Sequence, residues 1–327
     1  MSKKKVLGIS FGRKMSNTEV MIKTALMECE KAGTEVKFIR ADDLNIQDCT
    51  GCIACVIGLL QGGKGKCNLK DDMHIIDEAL MECDAVIVGS PTYVLAPTGK
   101  FKTVCDRIGP SHDIAFRTKA KETGIKMGKT PEQLPDERSF KPRVGALITV
   151  GGAMTQNWLS FAMPSMYEFT ISMGIDVIDK YEYFGAMAHE HVVGNQEVMD
   201  RMVVVGKNIA DALNSDADEM SKWRGDDEGI CPVCHCDMLT AVHNKNKVEC
   251  PVCGISGELT LVDGEIKVNF SEAEQKKSRL FYDGKVEHQI EISTKSVGPG
   301  QIPNKKELLQ KYHGYGEKVT NTSTAAD

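Results

Sequence analysis

The chain has 327 residues, 41% hydrophobic and 26% charged, a composition that excludes wholesale disorder and allows two domains. Its 40 Lys and Arg against 46 Asp and Glu give a net charge of −6, so no nucleic-acid partner is expected. No run approaches the ~18 apolar residues of a membrane span, and the start, Met1 to Ser10, has neither the apolar length nor the cleavage site of a signal peptide, so the protein is expected in the cytoplasm and off the membrane.

The first 215 residues alternate between strand-length apolar runs and stretches of helical periodicity. Val6 to Ser10 predicts a strand, Asn17 to Lys31 a helix, and Glu35 to Arg40 a second strand. Asp71 to Cys83 predicts a helix, and Ala85 to Gly89 is the near-continuous apolar run of a parallel strand covered on both faces. A helix follows at Gly99 to Ile108, a strand at Val144 to Val150, a helix at Asn157 to Met173, a strand at Asp176 to Phe184, and a last helix at Glu197 to Leu213. Five β-α units predict a doubly wound parallel sheet of flavodoxin-like order 2-1-3-4-5 over residues 1–215. Ser111 to Arg143, long and polar, reads as a lid, an arm or a dimer contact, or as a solvated insertion without a task.

Residues 216–229 hold six acidic residues against two basic ones and read as a linker. Residues 230–270 read as a small metal-stapled β module whose hairpin turns at Asp263-Gly264. The remainder, 271–327, reads as an extension with a strand near Val286 to Ile292 and a disordered end from Val319 to Asp327.

Ligands of open α/β sheets bind beyond the carboxyl ends of the strands. After the first strand, Ser10, Arg13, Ser16, Asn17 and Thr18 bring hydroxyls, a guanidinium and free helix-start N–H groups together, an anion site suited to a phosphate monoester. Ser16 or Asn17 could equally serve as a plain N-cap. After the third strand come Ser90, Pro91, Thr92, Tyr93 and Val94. After the fourth come Thr149, Gly151 and Gly152, where main chain can approach a flat ligand.

Nine of the twelve cysteines fall into two clusters. Cys49, Cys52 and Cys55, with Cys67 farther on, have the spacing of an iron-sulfur loop; zinc or free thiols remain open. Cys231, Cys234, Cys250 and Cys253 form C-x2-C-x15-C-x2-C, the pattern of a four-thiolate zinc site. The knuckles and hairpin resemble a zinc ribbon. Rubredoxins share the Cys-Pro-x-Cys-Gly knuckle, so iron is the second choice. Cys236, His235 and His243 are spare possible ligands and read first as surface residues.

Ser10-x-x-Arg13-x-x-Ser16-Asn17-Thr18, Cys49-x-Gly51-Cys52-x-x-Cys55, Cys67, Asp71-Asp72-Met73, Ser90-Pro91-Thr92-Tyr93, Lys100-Phe101-Lys102 and Asp106-Arg107, in that order, resemble the NADPH-dependent FMN reductase family, specifically its iron-sulfur flavoprotein branch. The resemblance implies FMN, its phosphate held by Ser10, Arg13, Ser16, Asn17 and Thr18. Pro91, Thr92, Tyr93, Val94, Thr149, Gly151 and Gly152 would then border the ring, Tyr93 tuning it. It also implies a 4Fe-4S cluster on Cys49, Cys52, Cys55 and Cys67, NAD(P)H as co-substrate, and a homodimer or tetramer. The expected function is an FMN-dependent oxidoreductase passing electrons to an unidentified acceptor. The alternative is an electron carrier between a ferredoxin-like donor and a protein partner. No catalytic acid-base set is evident in the sequence, so the chemistry would rest on the flavin.

Overall fold

The computed structural model describes residues 3–296 and 302–315. The end expected to be disordered lies outside the described residues. Along the chain come β1 (Lys5–Ser10), α1 (Asn17–Lys31), β2 (Glu35–Arg40), α2 (Ala54–Leu60), α3 (Met73–Glu82), β3 (Ala85–Tyr93), β4 (Ala96–Pro97), α4 (Gly99–His112), α5 (Ile114–Lys126) and β5 (Arg143–Val150). Then follow α6 (Ala162–Met166), α7 (Glu168–Ile171), β6 (Ile175–Tyr183) and α8 (Gln196–Asn214).

Five strands pair in parallel in the order β2-β1-β3-β5-β6, with the two-residue β4 antiparallel to β3. This is the flavodoxin-like order expected. The reason is legible in burial: every residue of β5 is buried, as are Ala85 to Ser90 of β3, because helices cover both faces of the sheet. One face packs α1 and α8, with Met21, Ile22, Val205 and Ile209 in the layer; the other packs α3, α4, α6 and α7, with Ile76, Leu80, Val104 and Phe169.

Three expectations need correction. The helix predicted from Asn157 to Met173 is broken into a turn at Gln156–Trp158 and the short α6 and α7; Pro164 in α6 has no N–H to give a longer helix. The Ser111 to Arg143 segment is no free arm. Its core is α5, N-capped by the Asp113 carboxylate on Ala115 N and Phe116 N (both 3.0 Å), with Ala115, Phe116 and Ala120 buried. The strand expected near Val286 to Ile292 is helical, within α11 (Tyr282–Glu291); apolar alternation over so few residues does not separate the two periods.

The acidic stretch 216–229 contains the single turn α9 (Ala217–Met220) and lies against the sheet: Arg224 N donates to Ile178 O (2.7 Å), and Asn208 Nδ2 to Arg224 O (2.9 Å). Beyond it, β7 (Thr240–Ala241), β8 (Lys247–Glu249), β9 (Ser256–Val262) and β10 (Glu265–Asn269) form an antiparallel sheet in the order β10-β9-β8-β7. The β9-β10 turn is the expected one, with φ of 53° at Asp263 and 85° at Gly264. Two short helices, α10 (Glu272–Gln275) and α12 (Lys305–Gln310), stand on either side of α11 in sequence. By contacts the chain divides into Met1–Glu287 and His288–Asp327, so the cysteine module and the parallel sheet share one compact unit.

Candidate functional site

The loop after β1 is organised by its own side chains. Ser10 is fully buried, and its Oγ accepts from Gly12 N (3.2 Å). Ser16 caps α1 by accepting from Glu19 N (3.5 Å), and its Oγ stands where a Cβ on Gly12 would come within 2.6 Å, so a larger residue there would displace the cap. Asn17 Oδ1 accepts from Val192 N (3.0 Å) and Thr18 is buried, while Arg13 stays exposed at the rim. Beneath the loop lies Glu19. Burial alone would push its carboxyl up, but hydrogen bonds from Lys23 (2.6 Å) and Arg40 (2.8 Å) hold it below its usual range, so its charge is balanced beneath the loop.

At the next loop Ser90 Oγ accepts from Thr98 N (3.1 Å), and Thr98 in turn caps α4. Thr92 and Tyr93 pair with Pro97 and Ala96 to make a tight hairpin. Its turn is Val94-Leu95, both left-handed, with φ of 50° and 72°. For a β-branched residue this costs about 1–3 kcal/mol, strain of the kind that collects at ligand sites. Val94 is 94% exposed at the tip.

The loop after β5 is tied to β6 by Gly151 N donating to Tyr183 O (2.8 Å) and Ala186 N to Gly151 O (3.0 Å). Register places Ser90, Thr149 and Glu182 side by side across β3, β5 and β6, with Pro91, Val150 and Tyr183 next along. Three hydroxyls at these strand ends are buried: Thr92 Oγ1 and Tyr183 Oη have no hydrogen-bond partner, on opposite faces of the sheet, and Thr149 Oγ1 has only the neighbouring Glu182 carboxyl. Burial also pushes the Glu182 carboxyl up to about 7. Around the same end, Tyr93, Met154, Trp158, Phe161 and Met187 are exposed and apolar. The unpartnered Tyr183 and this apolar border had no local sequence signal, because strand pairing and loop packing create them.

The first cysteine set is held by an ion pair. Asp71 and Arg107 form two hydrogen bonds (2.5 and 3.0 Å) with both side chains 1% exposed, and Asp71 also accepts from Gln47 N (2.9 Å) and Met73 N (3.1 Å). The guanidinium holds the Asp71 carboxyl down to about 2. Within the loop, Cys49 and Cys52 are exposed and Cys55 and Cys67 half-buried. Burial pushes the Cys55 thiol up, with Cys67 and Cys49 adding to the shift, whereas Cys52 is lowered by the Ala54 N–H and the Thr50 hydroxyl. These thiols are not gathered into one cage: among the described residues, the group of ligand atoms mutually within 4.8 Å is Cys231, Cys234, Cys250 and Cys253.

That second set is enclosed. All four residues are buried, with Cys231 Sγ 3.6 Å from Cys253 Sγ and Cys234 Sγ 3.4 Å from Cys250 Sγ. Four sulfurs so close form a group that could hold a metal ion as thiolates. The knuckle is seated on the parallel sheet, since Tyr167 Oη donates to Cys234 O and Lys180 Nζ to His235 O. Cys236 and His235, expected at the surface, are buried; Trp223 stacks on the His235 ring at 3.8 Å, and Cys236 Sγ lies 3.6 Å from Met238 O. His243 is exposed.

A parallel sheet of order 2-1-3-4-5 with loops gathered at the carboxyl ends of its strands defines the class of doubly wound, flavodoxin-like α/β proteins. Residues 5–163 match the model of the NADPH-dependent FMN reductase family. A flavone synthase of Aspergillus candidus is 30% identical over 263 residues, 79% of this chain and 78% of that protein. An iron-sulfur flavoprotein of Archaeoglobus fulgidus is 35% identical over 103 residues, 32% of this chain and 48% of that protein. The solved structure of a flavone reductase superposes with a TM-score of 0.74 at 24% identity, covering 99% of this chain and all of that one, a likeness of fold. The chain belongs to the NADPH-dependent FMN reductase family and is a flavin oxidoreductase.

Proposed function

We propose that the protein is an FMN-dependent reductase that draws on NAD(P)H and delivers hydride to a flat, conjugated aromatic acceptor of the flavone kind. The observation that carries this reading is the pair of buried hydroxyls of Thr92 and Thr149, which share one face of the sheet at the ends of two adjoining strands. Such groups are costly when dry and unpaired, and a heterocycle rich in nitrogen and oxygen would complete them.

When bound, FMN supplies the chemistry: it takes a hydride from the nicotinamide and returns it to the acceptor. The chain's own contribution is binding and placement. Ser10, Ser16, Asn17 and Thr18 shape the loop that would receive the phosphate, and Arg13 would add a charge-assisted contact. Pro91, Thr92, Tyr93 and Val94 on one side, with Thr149, Gly151 and Gly152 on the other, would border the ring. The acceptor class is supported by the exposed Tyr93, Met154, Trp158, Phe161 and Met187, a border that would lie against an apolar aromatic surface and exclude water, and by the name of the Aspergillus candidus relative. A partner subunit in a homodimer or tetramer would cover what the acceptor leaves exposed.

Zinc is the reading for Cys231, Cys234, Cys250 and Cys253, because the cage is closed and leaves no open position for a reacting ligand. A 4Fe-4S cluster on Cys49, Cys52, Cys55 and Cys67 is supported by their spacing and by the names of the shorter matches, but the exposed Cys52 does not fit a cage as the loop stands, and no electron step is assigned to it. The test is anaerobic mixing of the flavin-loaded protein with NADPH or NADH and then with flavone. Bleaching of the flavin band followed by its recovery with loss of the flavone double bond is expected. Bleaching that no conjugated aromatic reverses would remove the acceptor from this account, and an unbleached flavin would remove the reductase.

A further inference from the structure

A cavity of about 670 Å³ opens between α3, the last turns of α4, α5 and the 131–138 segment. None of the residues of the strand-end loops 10–18, 90–95 and 149–152 lines it, so it is separate from the flavin site. Met73, Met81 and Leu134, all buried, give it an apolar wall.

Two charged groups line the same space with incomplete partners: Arg117 is buried, and Asp77 buries one carboxylate oxygen while its side chain as a whole is 39% exposed. Arg117 is 7% exposed, yet it gives Nε to Ser111 O (2.8 Å) and Nη1 only to the sulfur of Met81 (3.7 Å). Among the described residues no carboxylate is recorded within ion-pair distance of it. Asp77 Oδ1 is buried and accepts no hydrogen bond; His112 Nε2 approaches it at 3.6 Å, beyond hydrogen-bond reach. Burial drives His112 down to about 3, so that ring is neutral; burial also pushes the Asp77 carboxyl up to about 6, opposed by the charges of Arg117 and Arg107, neither of which hydrogen-bonds it. The neighbouring charges are already engaged. Arg107 is bound to Asp71, Arg138 to Glu78 and Asp136, and Glu137 to Lys121. Lys64 and Lys66 stand exposed at the mouth and add positive potential for an entering anion.

A buried guanidinium without a carboxylate and a buried carboxylate oxygen without a donor, sharing one roomy cavity, call for an occupant that completes both. We propose that this cavity is a second ligand site, for a small organic carboxylate that carries a hydroxyl or ammonium donor at the far end of an apolar spacer. The carboxylate meets Arg117, the donor meets Asp77, and the spacer lies on Met73, Met81 and Leu134. The two poles are not in ion-pair contact, so a spacer is required; an aromatic ring supplies one, and the volume lies within the range of small-molecule sites.

The test is calorimetric titration of the flavin-loaded protein with 4-hydroxyphenylacetate and with phenylacetate, which lacks the donor. Saturable binding of 4-hydroxyphenylacetate is expected, with phenylacetate about tenfold weaker or worse, the scale of one lost charge-assisted hydrogen bond. Arg117→Met should weaken both acids by at least that factor. Asp77→Asn should bring the hydroxylated acid closer to phenylacetate. Flavin content and NAD(P)H oxidation should be unchanged in both variants, because neither residue touches the strand-end loops. Absence of binding at millimolar acid, or binding indifferent to both substitutions, overturns the proposal. Should Arg117→Met fail to fold, equal affinity of the unaltered protein for the two acids overturns it by itself.

Discussion

At the scale of single residues, the Asp71–Arg107 pair does more than link two helices. It is fully enclosed, and Asp71 also holds the backbone of Gln47 and Met73, so it fixes both ends of the loop that carries the first cysteines. Asp71→Asn leaves a buried guanidinium without its counter-charge and should cost about 3 kcal/mol, read from the urea midpoint. Because the carboxyl is held near 2 in the folded protein, below its usual 3.8, its stabilising effect is complete above pH 4 and is lost as pH falls toward 2. Glu182 works in the opposite sense. Its folded value near 7 lies above the usual 4.5, so the fold prefers it protonated and stability falls as pH rises from 4.5 to 7. Glu182→Gln should flatten that slope and, above pH 7, gain on the order of 2–3 kcal/mol relative to the parent. A Gln variant with the parent's pH slope would show that another group is responsible.

At the scale of elements, what the sequence shows depends on where each element's partners lie. The bounds of α1, Asn17–Lys31, are readable because Ser16 caps it and its apolar residues recur on one face. The buried side of α5 is Ala115, Phe116, Arg117, Ala120 and Gly124, one aromatic and one charged residue among small ones, which give almost no periodic apolar signal. Its place depends on a close backbone approach to Gly62: a Cβ on Gly124 would come within 2.5 Å of Gly62 O. The Val94-Leu95 turn was invisible for a similar reason, having none of the glycine or asparagine that marks such hairpins. The strand-end loops were legible because topology alone says where a doubly wound sheet binds its ligand. Helix packing supplies a test of this layer. In α8 a Cβ on Gly206 would lie 2.3 Å from Ala25 O of α1, and Cys29 Sγ donates to Gly206 O (3.3 Å). Gly206→Ala would gain about 1 kcal/mol of helix propensity at an open position; here it should lower the melting temperature instead. A rise would mean that the two helices do not touch there.

At the scale of the whole molecule, the cysteine module behaves as part of the sheet's packing: Tyr167, Lys180 and the 216–229 stretch tie it to β6 and α7. With a metal held by its four cysteines, chelation is therefore expected to lower both the melting temperature and the flavin content, whereas a tethered ribbon would unfold alone. Among the described residues no helix is long and apolar enough to cross a membrane. Everything at this scale turns on FMN occupying the carboxyl edge of the parallel sheet. Its most direct test is titration of flavin-stripped protein with FMN, followed by flavin fluorescence, beside Arg13→Ala and Thr149→Val. The account predicts stoichiometric uptake by the parent, a loss of about 1.5–3 kcal/mol of affinity in Arg13→Ala, and a smaller loss in Thr149→Val with no loss of stability in the apoprotein. Protein that takes up no FMN, or variants that bind it as tightly as the parent, would contradict it.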